Sequence, residues 1–160
     1  MSYSHSGTQP DPSRVSVFRS DDTSSTHKQT TLNTPMIEAL IQSAESRGYR
    51  IRWHRGGPKA AWIPTKKAIT LQHGLDDVHA LCPLAHELGH AHYGDPPGHH
   101  GAHEIRADRF AARLLISEDE YRLAEILYGP HPGAIAHELG VTNHLVAVWR
   151  NTHRPATPVN

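Results

Sequence analysis

The sequence predicts an α+β fold in which a small antiparallel sheet of three strands is followed by helices. Apolar and polar residues alternate in short stretches between residues 49 and 71, as expected of half-buried strands. Apolar residues recur at helical spacing through most of the later chain. The length of 160 residues suits one domain that is large enough to bury a core.

The composition divides the chain into a tail, a domain and a short end. Residues 1–32 are rich in Ser, Thr, Asp and Pro and poor in large apolar groups. We expect a disordered tail there, because so little apolar burial does not offset the entropy of ordering a chain. Residues 33–152 form the predicted domain, of which 133–152 are a helix-turn-helix-like end. Residues 153–160 contain two prolines and are predicted to be flexible.

The predicted domain opens with a helix and the three strands. Thr34 is a good N-cap, Pro35 suits the first helical position and Gly48 suits the end, which predicts a helix at 35–47. The strands are predicted near 49–53, 60–63 and 68–71. The last strand is nearest in sequence to the next helix, so it is our candidate for an edge strand that lines a cleft and pairs with an extended peptide.

Four helical segments are predicted after the sheet, at 78–92, 102–116, 117–129 and 133–152. The third begins with a capping box at Ser117 and ends before Gly129-Pro130. The second places Arg106 and two further arginines on a face that we expect to be solvated. Together with the sheet, these helices complete the α+β prediction.

Charge and cysteine content exclude several classes of protein. Lys+Arg and Asp+Glu both number 16, so no overall charge draws the chain to nucleic acid or to a membrane surface. The single cysteine, Cys82, excludes an internal disulfide framework. No stretch approaches the roughly 18 apolar residues of a membrane span, and the N-terminus lacks the apolar core of a signal peptide. We therefore expect a cytoplasmic protein.

The helix at 78–92 contains the motif H-E-x-x-H, formed by His86, Glu87 and His90. Histidines four residues apart share one face of a helix and can bind one zinc ion, with the glutamate placed beside a zinc-activated water. The apolar stripe that includes Leu88 lies on the opposite face. One side of this helix is thus predicted to pack and the other to bind metal.

A catalytic zinc site needs a third protein ligand, and the next helix offers one. Glu104 and Asp108 are four residues apart and share a face. We expect Glu104 to bind the zinc and Asp108 to accept the free ring N–H of a zinc-bound histidine. Glu87 is then the candidate general base. His103 stays open as an alternative third ligand.

The pentapeptide Ala-His-Glu-Leu-Gly occurs twice, at 85–89 and at 136–140. The second copy has Val141 where the second histidine is needed, so we assign it no metal. It fits instead the first helix and turn of a helix-turn-helix. The following segment, 143–152, offers only Arg150 besides His144 for contacting phosphates, so direct DNA binding is not expected.

With the H-E-x-x-H motif and the later E-x-x-x-D motif, the sequence resembles the ImmA/IrrE family of metallo-endopeptidases, which are gluzincin-like zinc peptidases, over about residues 35–150. The resemblance implies that His86, His90 and Glu104 bind one zinc ion per chain and that Glu87 is the catalytic base. It implies cleavage of a regulatory protein, a helix-turn-helix transcriptional repressor of a phage, mobile element or stress response. The alternative is a non-enzymatic regulator that binds DNA or a repressor through its C-terminal helices.

Overall fold

The computed structural model describes residues 27–98 and 100–153, with side chains from residue 35 onward. It confirms the α+β class. The helices of this part of the chain are α1 His27–Ser46, α2 Asp77–Tyr93, α3 Gly101–Leu115, α4 Glu118–Tyr128, α5 Pro132–Leu139 and α6 Asn143–His153. The strands are β1 Arg50–His54, β2 Ala60–Ile63 and β3 Ala68–Gln72. No helix in this part of the chain is long and apolar enough to cross a membrane.

The sheet has the strand order β1-β3-β2 and is mixed. β2 and β3 pair antiparallel, as expected, but β1 and β3 pair parallel, which corrects the expectation of a wholly antiparallel sheet. β3 lies in the centre, and its Ile69 and Leu71, which point to the same face of the sheet, are fully buried. The prediction that segment 68–71 is an edge strand is therefore wrong. β2 is the edge strand on the side of α2.

The first helix begins earlier than predicted. α1 starts at His27, so neither Thr34 nor Pro35 marks its beginning. A proline inside a helix removes one backbone hydrogen bond without necessarily ending the helix, and α1 continues through Pro35. Residues 27–32 belong to this helix rather than to the expected tail, and residues 1–26 lie outside the described part of the chain.

Helix α2 lies between two apolar clusters. On one side it packs with the sheet and α1, where Leu84 and Leu88 meet the central strand. On the other side Leu81 and Ala85 pack with α3, α5 and α6. The side chain of Asp76 caps the start of α2 by accepting the N–H of His79. α2 is thus held on both sides, which leaves one strip of its surface for the cleft beside β2.

Candidate metal centre

Helix α2 places His86 and His90 one turn apart on its cleft side. Their Nε2 atoms lie 3.0 Å from each other, and their rings meet edge to face. Both side chains are largely buried. The predicted histidine pair therefore converges on one point.

Helix α3 brings Glu104 to the same point. Its two carboxylate oxygens lie 3.2 Å from His86 Nε2 and 3.4 Å from His90 Nε2. These three side chains form a group that could hold a metal ion, and His103, the alternative third ligand, is not part of it. Close helix contact makes this possible, since a Cβ on Gly89 would lie 2.9 Å from Cα of Ala107.

Asp108 occupies the position expected of it. Its Oδ1 lies 2.9 Å from Nδ1 of His86, the ring nitrogen that faces away from the metal point. Burial acts to raise the pKa of Asp108, but its hydrogen bonds with His86 and His144 outweigh burial and hold that pKa below its usual range. The ionised carboxylate accepts, so His86 Nδ1 carries the proton.

A second carboxylate, Asp95, orients the other histidine and was not predicted. Its Oδ2 lies 2.9 Å from Nδ1 of His90, its side chain is only 2% exposed, and Arg106 pairs with its other oxygen. Arg106, which was predicted to be solvated, also lies over the ring of Tyr93 and is only partly exposed. Asp95 directly follows Gly94, which ends α2. The sequence offered one signal, an acidic residue just after the helix that carries the histidines. It did not indicate that the loop would turn this residue back toward His90.

The protonation pattern provides a test of whether a metal fits. Asp95 resembles Asp108: burial acts to raise its pKa, but the hydrogen bonds with His90 and Arg106 lower it overall. When both rings are neutral and both Nδ1 atoms donate to the carboxylates, both Nε2 atoms present lone pairs to each other at 3.0 Å and to the oxygens of Glu104. Such a set of facing acceptors is stabilised by a cation, and two imidazoles with one carboxylate suit zinc. The residues present therefore fit a metal ion.

Glu87 lies beside this group and is tied to the sheet. Its Oε2 accepts the backbone N–H of Trp62 in β2, with 2.7 Å between the two atoms. Burial raises the pKa of Glu87 above its ordinary value, although His86 and the Trp62 N–H act in the opposite direction. The partner is a backbone group of a distant strand, so no sequence signal identified it.

Two cavities flank Glu87 along the edge of β2. One, of about 140 Å³, is walled by Pro58, Trp62, Pro96 and Pro97. The other, of about 270 Å³, is walled by the C-terminal helices and by residues of α2 and α3. Ala60 and Glu87 line both cavities. The arrangement is a cleft that passes over the metal group.

Strand β2 turns part of its backbone toward this cleft. The C=O of Lys59 accepts the N–H of Gln72 from β3, whereas the N–H of Trp62 points to Glu87. Because successive residues of a strand direct their backbone groups to opposite sides, Ala60 faces the cleft like Trp62. The edge of β2 is therefore open to pairing with another extended chain.

Residues 37–148 match a family model of peptidases that is described as the IrrE N-terminal-like domain. The match covers more than half of the chain and includes the cleft, the metal group and most of α6. A comparison with curated proteins found no match.

Proposed function

The chain belongs to the ImmA/IrrE family of metallopeptidases, and from that premise we propose that it is a zinc-dependent endopeptidase that cleaves a regulatory protein. One observation carries the proposal. His86, His90 and Glu104 meet at one point, and Glu87 stands beside them in a cleft that is bordered by an edge strand.

His86 and His90, through Nε2, and Glu104, through its carboxylate, would hold one zinc ion per chain. Asp108 and Asp95 fix the two imidazole rings by accepting from their Nδ1 atoms. When bound, the ion supplies a positive charge that lowers the pKa of water in its open position and polarises the scissile carbonyl.

Glu87 is the proposed general base. The N–H of Trp62 holds Oε2 in place, which leaves Oε1 to take a proton from the attacking water. The carboxyl group then delivers that proton to the leaving amine, so the base is restored when the peptide bond is broken. The burial that raises the pKa of Glu87 suits both transfers, because a base works best when its pKa lies close to the working pH.

The open edge of β2 supports an extended substrate. A peptide that pairs with Ala60 would cross the cleft and place neighbouring side chains in the two cavities. Such pairing needs unpaired backbone, so the cleaved bond should lie in a loop or linker and not within a helix. The substrate proposed from the family is a helix-turn-helix transcriptional repressor, cut between its folded parts.

The test first searches the genes beside this one for a helix-turn-helix repressor and then incubates that repressor with the full chain loaded with zinc. We expect cleavage at one site, identified by the masses of the two fragments. Glu104→Ala should lose both zinc and cleavage, whereas His103→Ala, the matched control for the alternative ligand, should keep both. Undiminished zinc in Glu104→Ala would refute the ligand assignment, and an intact repressor would refute the substrate.

No specific observation favours a DNA-binding role for the C-terminal helices. The only arginine of α6, Arg150, donates to the C=O of Pro130 and lies 3.8 Å from the carboxylate of Glu125. It is therefore engaged within the fold and is not presented to a phosphate backbone.

A further inference from the structure

Asp108 is held by a second histidine, which comes from the C-terminal helices. Nε2 of His144, in the first turn of α6, lies 2.7 Å from Oδ2 of Asp108. The other oxygen, Oδ1, is the one that faces Nδ1 of His86 at 2.9 Å. One carboxylate thus joins α2, α3 and α6 in an unbroken chain of hydrogen bonds.

The hydrogen bond from His144 restrains Asp108, which is otherwise held less firmly than the corresponding carboxylate of Asp95. The side chain of Asp108 is 21% exposed, whereas that of Asp95 is 2% exposed and is clamped by Arg106. Water can compete for a partly exposed carboxylate, and a carboxylate with one partner can still rotate about its side-chain bonds. His144 binds the oxygen that His86 does not use, so it fixes the plane of the carboxylate.

The C-terminal helices also form part of the cleft itself. Thr142, His144 and Leu145 wall the cavity of about 270 Å³ whose opposite side is formed by His86 and Glu87. Helices α3 and α6 pack together through buried apolar residues, including Ala111 and Val146. The position of His144 is therefore set by the core and not by an exposed loop.

We propose that His144 is a positioning residue of the metal centre and that α6, with the turn that precedes it, completes the catalytic site. This inference rests on the proposed metal site. His144 acts through Asp108 on the ring of His86, and it does not touch the metal point itself. In this proposal, the second helix of a motif that resembles a DNA-binding helix-turn-helix lines the cleft and supports a metal ligand.

The experiment measures zinc affinity of the full chain by competition with a chelator. His144→Ala should weaken zinc binding several-fold, less than the about 10- to 100-fold expected when a direct partner of a metal-bound histidine is lost, as in Asp108→Asn. His144→Gln should restore near wild-type affinity, because its side-chain amide N–H replaces Nε2 as a donor. Asn151→Ala, on an exposed part of the same helix, is the control and should change nothing.

A double-mutant cycle separates positioning from a general structural effect. If His144 acts through Asp108, adding His144→Ala to Asp108→Asn causes no further loss of affinity. Fully additive losses, unchanged affinity in His144→Ala, or no rescue by His144→Gln would each overturn the proposal. The free energy of unfolding of the metal-free variants is measured in parallel. Because the side chain of His144 is 63% exposed, His144→Ala should leave this free energy nearly unchanged.

The same series distinguishes this proposal from the proposed function. A chain that binds zinc as described but cleaves no protein would refute the proposed peptidase activity. The zinc affinities of the variants would still test the positioning role of His144. A wild-type chain that binds no zinc would overturn both.

Discussion

The pentapeptide Ala-His-Glu-Leu-Gly occurs in the middle of α2 and at the end of α5, and the two copies differ in every contact that matters for chemistry. In the first copy, His86 faces His90 and Asp108. In the second, His137 is on an exposed face of α5. The same five residues thus form part of a candidate metal site in one place and a helix end in the other.

The two glutamates show how the surroundings set the chemistry. Glu87 is partly buried and accepts the backbone N–H of Trp62, and its pKa is raised by burial. Glu138 is exposed and accepts the hydroxyl proton of Tyr128 at 2.8 Å, which raises the pKa of that tyrosine. Burial and partners, which the shared pentapeptide does not determine, distinguish Glu87 from Glu138.

The two glycines serve opposite purposes. Gly89 lies within a helix and is needed because α3 comes so close that a Cβ would meet Ala107. Gly140 has φ 62° and ends α5 in the left-handed region that favours glycine. The comparison teaches that the second copy lacks more than a histidine: its helix also ends at the glycine.

The largest expected effect separates the two glutamates. Glu87→Gln should keep zinc but reduce the cleavage rate by about 10²- to 10⁴-fold, the usual contribution of a general base. Glu138→Gln, its matched control, should cleave at the wild-type rate. Rates are measured on the same substrate at equal zinc occupancy, and normal turnover by Glu87→Gln would rule out the proposed base.

The next effect separates the two glycines. Gly89→Ala should destabilise the fold by about 1–3 kcal/mol through overpacking against Ala107, reduced somewhat by the better helix propensity of alanine. Gly140→Ala should cost about 1–2 kcal/mol because alanine is strained in the left-handed region. Denaturant unfolding measures both changes.

Zinc affinity then distinguishes the two glycine variants. Gly89→Ala displaces α3 and with it Glu104, so its affinity should fall, whereas Gly140→Ala should bind zinc normally. Equal zinc affinity in the two variants would show that the close contact between α2 and α3 does not position the ligand.

The smallest effect on metal binding is expected when the missing histidine is supplied. Val141→His gives the second copy the full H-E-x-x-H sequence, yet zinc content should stay at one per chain. Gly140 breaks the helix before residue 141, and Val141 is only 5% exposed, so a histidine there would not join His137 on one face. Native mass spectrometry counts the ions, and a second zinc would contradict this account.

Much of the site was predictable because its signals are local. Helical spacing placed His86 and His90 on one face, and placed Glu104 and Asp108 together on the next amphipathic helix. The contacts that escaped prediction join distant parts of the chain, such as the N–H of Trp62 with Glu87 and the ring of His144 with Asp108. Such contacts depend on how helices and strands are arranged, which periodicity does not report.

The fold was predictable to a similar extent. Helices α2, α3 and α4 begin and end close to the predicted positions, and α5 and α6 divide the predicted helix-turn-helix-like segment at Gly140. Strand order was not predictable, since the sequence of a short apolar strand does not indicate which strands it pairs with. Pro35 misled the prediction of α1, because proline suits a helix start but is also tolerated within a helix.

The central position of β3 has a consequence for the order of folding. β1 and β2 both pair with β3 and not with each other, although β3 is the last of the three strands to be synthesised. The two outer strands therefore have no partner in this sheet until β3 is present. A chain that ends before β3 lacks the strand that pairs with β2, the edge proposed to bind a peptide.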